Sequence, residues 1–244
     1  MNKLAVYGLG AALALAAAAP ASAITIFADF TPASTNPNVT YVGADDGSGT
    51  ISSIAELVHF SFLNQDGSNG STSFDAMMNL SATTGAATLV GGGQIALLPI
   101  SAGTLTFTAL SPVSWNGHTG TNLLTVDFSG GVLSAILGGS TATYGNSTPP
   151  FSVDFSSDFL NFSTSTARDL ALAIDAINPG VGFAFGGNRT NLGSISGNFG
   201  ADATAGNPQG VVPEPASWAL MFVGFGLAGS VMRSQRRRTE VTFG

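Results

Sequence analysis

The 244 residues contain no cysteine. Disulfides, thiolate nucleophiles and cysteine-ligated zinc are therefore excluded, and an exported form of the chain must be held together by buried apolar surface alone. Lysine occurs once, at Lys3, and histidine twice, at His59 and His118, which leaves few groups for Schiff-base or general-base chemistry. Charged residues are only 9% of the chain, and between Ile24 and Val212 they are one-sided: twelve acids face Arg168 and Arg189, a net of minus ten. A surface of that sign repels phosphate backbones, so nucleic acid is excluded as a partner.

What is abundant is Gly, with 32 residues, together with Ser, Thr and Asn. That composition resembles disorder. The regular Phe, Leu, Val and Ile argue the other way, because low hydrophobicity is the main condition for disorder and 44% of this chain is hydrophobic.

The two ends of the chain read as addresses. Lys3 supplies a positive start, Leu4 to Ala19 an apolar run, and Ala21-Ser22-Ala23 a small-residue cleavage site, so residues 1–23 are expected to be a signal peptide cut by signal peptidase after passage through the Sec translocon. The rival, a retained N-terminal anchor, is disfavoured by Pro20 and by that site. At the other end, Pro213 and Pro215 fix their own φ and push Glu214 toward an extended conformation, which suits a protease groove. From Trp218 to Met232 the run is apolar and uncharged, and as helix it would measure about 22 Å against the ~30 Å hydrocarbon core. With Ala216 and Ser217 added, Trp218 at an interface and Arg233 snorkelling, residues 216–232 can make one tight inner-membrane span. Arg233, Arg236, Arg237 and Arg238 then stay cytoplasmic, and Pro-Glu-Pro faces out.

This tail, residues 212–238, resembles the PEP-CTERM sorting signal in the variant Pro-Glu-Pro-x-x-Trp-Ala, carried here by Pro213, Glu214, Pro215, Trp218 and Ala219 with Ala216 and Ser217 between. The departure is residues 239–244, a cytoplasmic end that runs on past the arginines and includes Glu240. The resemblance implies that the chain is a substrate of an integral-membrane exosortase, similar to a cysteine transpeptidase, which removes the tail and releases or transfers the protein to the cell surface or beyond. It also implies a cargo associated with exopolysaccharide and biofilm matrix. The tail's residues are then recognition sites for another enzyme, and none is catalytic in this chain.

Between the signals, residues 24–200 are long enough for one domain with a sizeable core. Ile54 to Leu63 alternates, with Val58, Phe60 and Phe62 on one side and Leu57, His59 and Ser61 on the other, which predicts a strand. The same grammar recurs at Thr72 to Ser81, Leu105 to Leu110, Leu123 to Phe128, Val132 to Leu137, Phe151 to Phe155 and Phe159 to Phe162, each bounded by Gly, Asn, Pro or Ser. Short strands with turn chemistry between them predict an all-β fold: a single antiparallel domain of β-sandwich or jelly-roll type. Residues 166–178 fit either an amphipathic helix or a strand, with the neighbouring strands tipping the choice to β. The small polar residues 201–211 are expected to form a flexible spacer.

Candidate chemistry in the body is sparse. No G-x-S-x-G frames a serine, and neither His59, within an apolar strand, nor His118, in a loop, has a recognisable catalytic setting. Asp154, Asp158 and Glu56 are the carboxylates that a secreted hydrolase would need to bring into one cleft. Asp45, Asp46 and Asp66 sit on glycine-rich turns that offer hard oxygen ligands for Ca²⁺, although Asp-Gly is equally a plain hairpin turn and no closing glutamate completes an EF-hand. The leading expectation is an exported, non-enzymatic surface or matrix protein without a cofactor. A carbohydrate- or calcium-binding module is the alternative, and a hydrolase the third.

Overall fold

Alternation of apolar and polar side chains is realised as strand almost throughout the body. A computed structural model describes residues 24–44, 47–63, 71–148, 150–181 and 189–202, all within one compact unit, Ala23–Gly210. The strands are β1 (Thr25–Pro32), β2 (Val39–Gly43), β3 (Gly49–Leu63), β4 (Ser71–Thr84), β5 (Thr88–Val90), β6 (Ile95–Trp115), β7 (His118–Ser129), β8 (Val132–Ile136), β9 (Ala142–Thr148), β10 (Ser152–Ser156), β11 (Arg168–Asn178) and β12 (Arg189–Ala201). No helix occurs among the described residues, so none there can cross a membrane.

All twelve strands belong to one antiparallel sheet. Several are consecutive pieces of a longer stave: β1 and β2 lie end to end along β3, β4 and β5 along one edge of β6, β7 and β8 along its other edge, and β10 and β9 along β7 and β8. Each stave neighbours the next in sequence. The last, β12, returns to the first, pairing Ala201 with Thr25 of β1 and Arg189 with Gly43 of β2. The all-β, antiparallel expectation holds, and its layered core arises from one up-and-down sheet closing on itself.

A barrel of about eight staves encloses a space that side chains can just fill. Phenylalanine fills it here: Phe30 and Phe60 lie 4.7 Å and 5.0 Å from Phe107, and Phe199 lies 5.6 Å from the same ring. Two interior voids, beside Tyr41 and beside Tyr144, are each about 20 Å³, too small for more than a water.

Residues 168–178 are strand, because Leu170, Leu172 and Ile174 point into the core while Asp175 lies outside. A bulge follows, with Ala176 at φ 53° before Ile177 returns to the core. A left-handed alanine is unfavourable by about 1–2 kcal/mol, so Ala176→Gly is expected to raise stability by about 0.5–1 kcal/mol after the greater freedom of the unfolded glycine is subtracted. A urea titration reads the shift in midpoint at constant slope.

Two segments differ from their expected form. Phe159 to Phe162 belongs to no strand: it lies between the end of β10 and the start of β11, where Phe159, its neighbour Leu160 and Phe162 are buried and close the barrel end as an irregular cover. The folded body also continues beyond 200, since Ala201 ends β12 and Asp202 is buried. Because Thr25 pairs with Ala201, the chain enters and leaves the barrel at this same covered end.

Candidate functional site

The cover between β10 and β11 is built by hydrogen bonds from a few residues. Ser157 Oγ donates to Leu123 O at 2.6 Å and accepts from the Phe159 amide at 3.1 Å. Asp158 Oδ2 accepts from the Thr121 and Asn122 amides at 2.9 and 2.8 Å, and the Asp158 amide donates to Asn122 O. Gly120 makes room for this contact, because a Cβ there would lie 2.2 Å from Asp158 Oδ2. Arg168, at the start of β11, spans the gap to β10: its guanidinium donates to Asp154 Oδ1 and to the carbonyls of Val153, Phe162 and Ser165.

Asp202 locks the other side of the cover. Its carboxylate accepts from Ser165 Oγ and the Thr166 amide at 2.9 Å and from Thr166 Oγ1 at 2.5 Å, while its amide donates to Ala167 O. Burial pushes its pKa up, but the hydrogen bonds from Thr166, the Ala167 backbone and Ser165 outweigh it and leave the carboxyl at about 2. A depressed pKa means that the stabilisation is full above the ordinary carboxylate range, near pH 4, and is lost as pH falls through 2. Asp202→Ala is therefore expected to cost about 2 kcal/mol at neutral pH and much less near pH 2. Urea unfolding at the two pH values checks the difference.

An open groove of about 510 Å³ runs beside the cover, lined by His118, Phe155, Ser156, Asp158, Asn161, Ser163 and Arg168 among others. Its polar groups are hydroxyl, amide and imidazole with one carboxylate and one guanidinium, a lining suited to hydrogen bonding. A second, shallower depression of about 440 Å³ lies on the outer sheet face, where Thr104 Oγ1 donates to Asp127 Oδ1 at 2.7 Å and Asp127 stands opposite Asp154.

The structure brings Asp154 and Asp158 to the same end of the barrel but commits both, one to Arg168 and the other to two backbone amides. Glu56 sits opposite Met78 in the β3–β4 ladder and lines neither depression. His59 is exposed and bonds Asp75 Oδ1 at 2.8 Å, while His118 lines the groove without a bond to any of its serines. Among the described residues no three His, Asp or Glu side chains gather as a metal site would need. The calcium candidates Asp45, Asp46 and Asp66 lie outside the described residues, as do the cleavage-site residues Ala21 and Ala23, the sorting residues Pro213, Glu214, Pro215, Trp218 and Ala219, and Arg233, Arg236, Arg237 and Arg238.

Sequence reasoning missed Arg168, Asp202 and the buried pair Tyr144 and Asn146. Asn146 Nδ2 donates to the Tyr144 phenol oxygen at 2.8 Å and to Ser129 O at 3.1 Å, and the Tyr144 hydroxyl in turn donates to Gly130 O. Burial, partly offset by the Asn146 bond, pushes the Tyr144 phenol up to about 12. The signal available for Arg168 was its rarity, as one of two arginines in an acidic body.

A folded antiparallel barrel followed by Pro-Glu-Pro, an apolar run and an arginine cluster has the organisation of a cargo domain with a C-terminal sorting signal. Residues 211–238 match the family described as the PEP-CTERM protein-sorting motif, so the chain carries that signal. The motif marks an exported protein, sorted at the membrane by an exosortase and destined for the surface. No curated protein and no solved structure gives a significant match to the chain.

Proposed function

We propose that the chain is a non-enzymatic component of the bacterial cell surface or extracellular matrix, associated with exopolysaccharide. The Sec translocon and signal peptidase would deliver it, and exosortase would process it. The observation that carries this reading is the sorting motif at residues 211–238. Support comes from the body as well: its interior is filled by phenylalanine rings, and Asp154 and Asp158 already hold the fold together. The test is fractionation of host cells with and without polysaccharide synthesis. The protein is expected to sediment with the polysaccharide and to appear in the medium when the polymer is missing; an unchanged distribution would sink the reading.

The groove beside His118 favours a second reading, a carbohydrate-binding module. A rise in melting temperature with the host's own polysaccharide, abolished by Asn161→Ala, supports it, whereas an unchanged melting temperature removes it. The same titration with Ca²⁺ tests the calcium-binding variant of that reading.

A further inference from the structure

The outer face of β5, β6 and β8 is apolar where most of the barrel exterior is hydroxylated. Register places Val90, Ile95 and Ile136 side by side in one row and Pro99 beside Val132 in another, and the row between them holds Leu97 flanked by Thr88 and Ser134. Val90, Ile95, Val132 and Ile136 are 39%, 37%, 40% and 63% exposed, whereas Leu98 and Leu133, on the opposite face of the same strands, are 0% and 2%. No described residue pairs with the far side of β5, whose one partner in the sheet is β6, so the apolar face also ends on a sheet edge. Contiguous apolar surface bounded in this way marks an interaction site rather than scattered exposure.

Charge decides what can cover it. From Ala76 to Val153 the one charged residue is Asp127, which lies on β7, so β5, β6, β8 and β9 carry no charge at all. The body as a whole has a net of minus ten and no lysine. A partner recognised by opposite charge finds nothing to hold on this face. A second copy meets the reverse situation: like charge repels two such molecules on their acidic surfaces, and burying this face against itself removes apolar area from water without bringing acids together. A two-fold arrangement uses the same patch on both molecules and closes at two.

We propose that the β5–β6–β8 face, centred on Ile95, Leu97 and Ile136, is the interface of a homodimer of the exported protein. Sedimentation velocity of the protein purified from its own cells, over a concentration series from sub-micromolar to hundred-micromolar, is expected to show monomer giving way to dimer. Ile136→Asp places a charge on both sides of a two-fold interface and is expected to weaken association at least about a hundredfold. Ile136→Thr, which keeps the strand, is expected to weaken it about tenfold. Leu110→Asp, at a site 59% exposed but outside the face, is expected to leave it unchanged. The proposal is overturned by a monomer over the whole range, by a dimer indifferent to both Ile136 variants, or by a monomer that floats with neutral phosphatidylcholine vesicles, which would give the face to lipid.

Discussion

Phe199→Ala is expected to lower the unfolding free energy by about 4 kcal/mol. The ring is fully buried and lies within 6.4 Å, centroid to centroid, of Phe27, Phe30, Phe60, Phe107 and Phe155, so it touches residues from β1, β3, β6 and β10 as well as standing on β12. Truncation removes the ring's contribution to transfer free energy and opens a cavity that five rings fixed to a closed sheet can only partly fill. Phe199→Leu refills much of the volume and is expected to cost about 1–2 kcal/mol. Urea titrations should show both variants with a lower midpoint and an unchanged slope; an Ala variant within 1 kcal/mol of the parent, an approximate threshold set by the usual spread of core truncations, would mean that the interior repacks freely.

The particular elements show which parts of this molecule were legible beforehand. β3 was readable because alternation is local: Val58, Phe60 and Phe62 are inside and His59 is outside, as the pattern says. β11 was ambiguous because Leu170, Ala171 and Ile174 also fit a helical stripe, and what decides for strand is pairing with β9 and β12 on both edges. Closure was not readable at all. The contact that completes the ring joins Thr25 to Ala201 across nearly the whole body, and nothing in either residue names the other. Phe159 to Phe162 was misread for a related reason, since its consecutive buried side chains cover a barrel end that only the closed sheet creates. Of the acids at that end, Asp158 was visible as a candidate and Asp202 was not, and the roles of both are set by partners distant in sequence: Asp158 by Thr121 and Asn122, Asp202 by Ser165 and Thr166. The sorting signal is the opposite case. It is a linear code read by another protein, so its recognition needs order and spacing rather than a fold.

That linear code gives the second large expected effect. Replacing Glu214 with Ala, or Pro213 and Pro215 together with Ala, is expected to reduce the processed form at least about tenfold, because the motif loses either its one acid or both of the prolines that restrict its backbone. Intact-mass measurement of membrane and extracellular fractions would find a precursor that begins at Ile24 and still ends at Gly244, held in the membrane fraction. Replacing Arg233, Arg236, Arg237 and Arg238 with Gln should act differently: the motif is intact, but the positive charge expected to hold the chain's end on the cytoplasmic side is gone, so uncut protein is expected to escape past the membrane. Both changes lie in sequence beyond β12 and Asp202, so the melting temperatures of the variants and the parent are expected to agree. Efficient cutting of the Glu214 variant in a host with active exosortase would show that the motif's acid is dispensable. A melting temperature that falls with it would show that the tail is part of the fold and not merely attached to it.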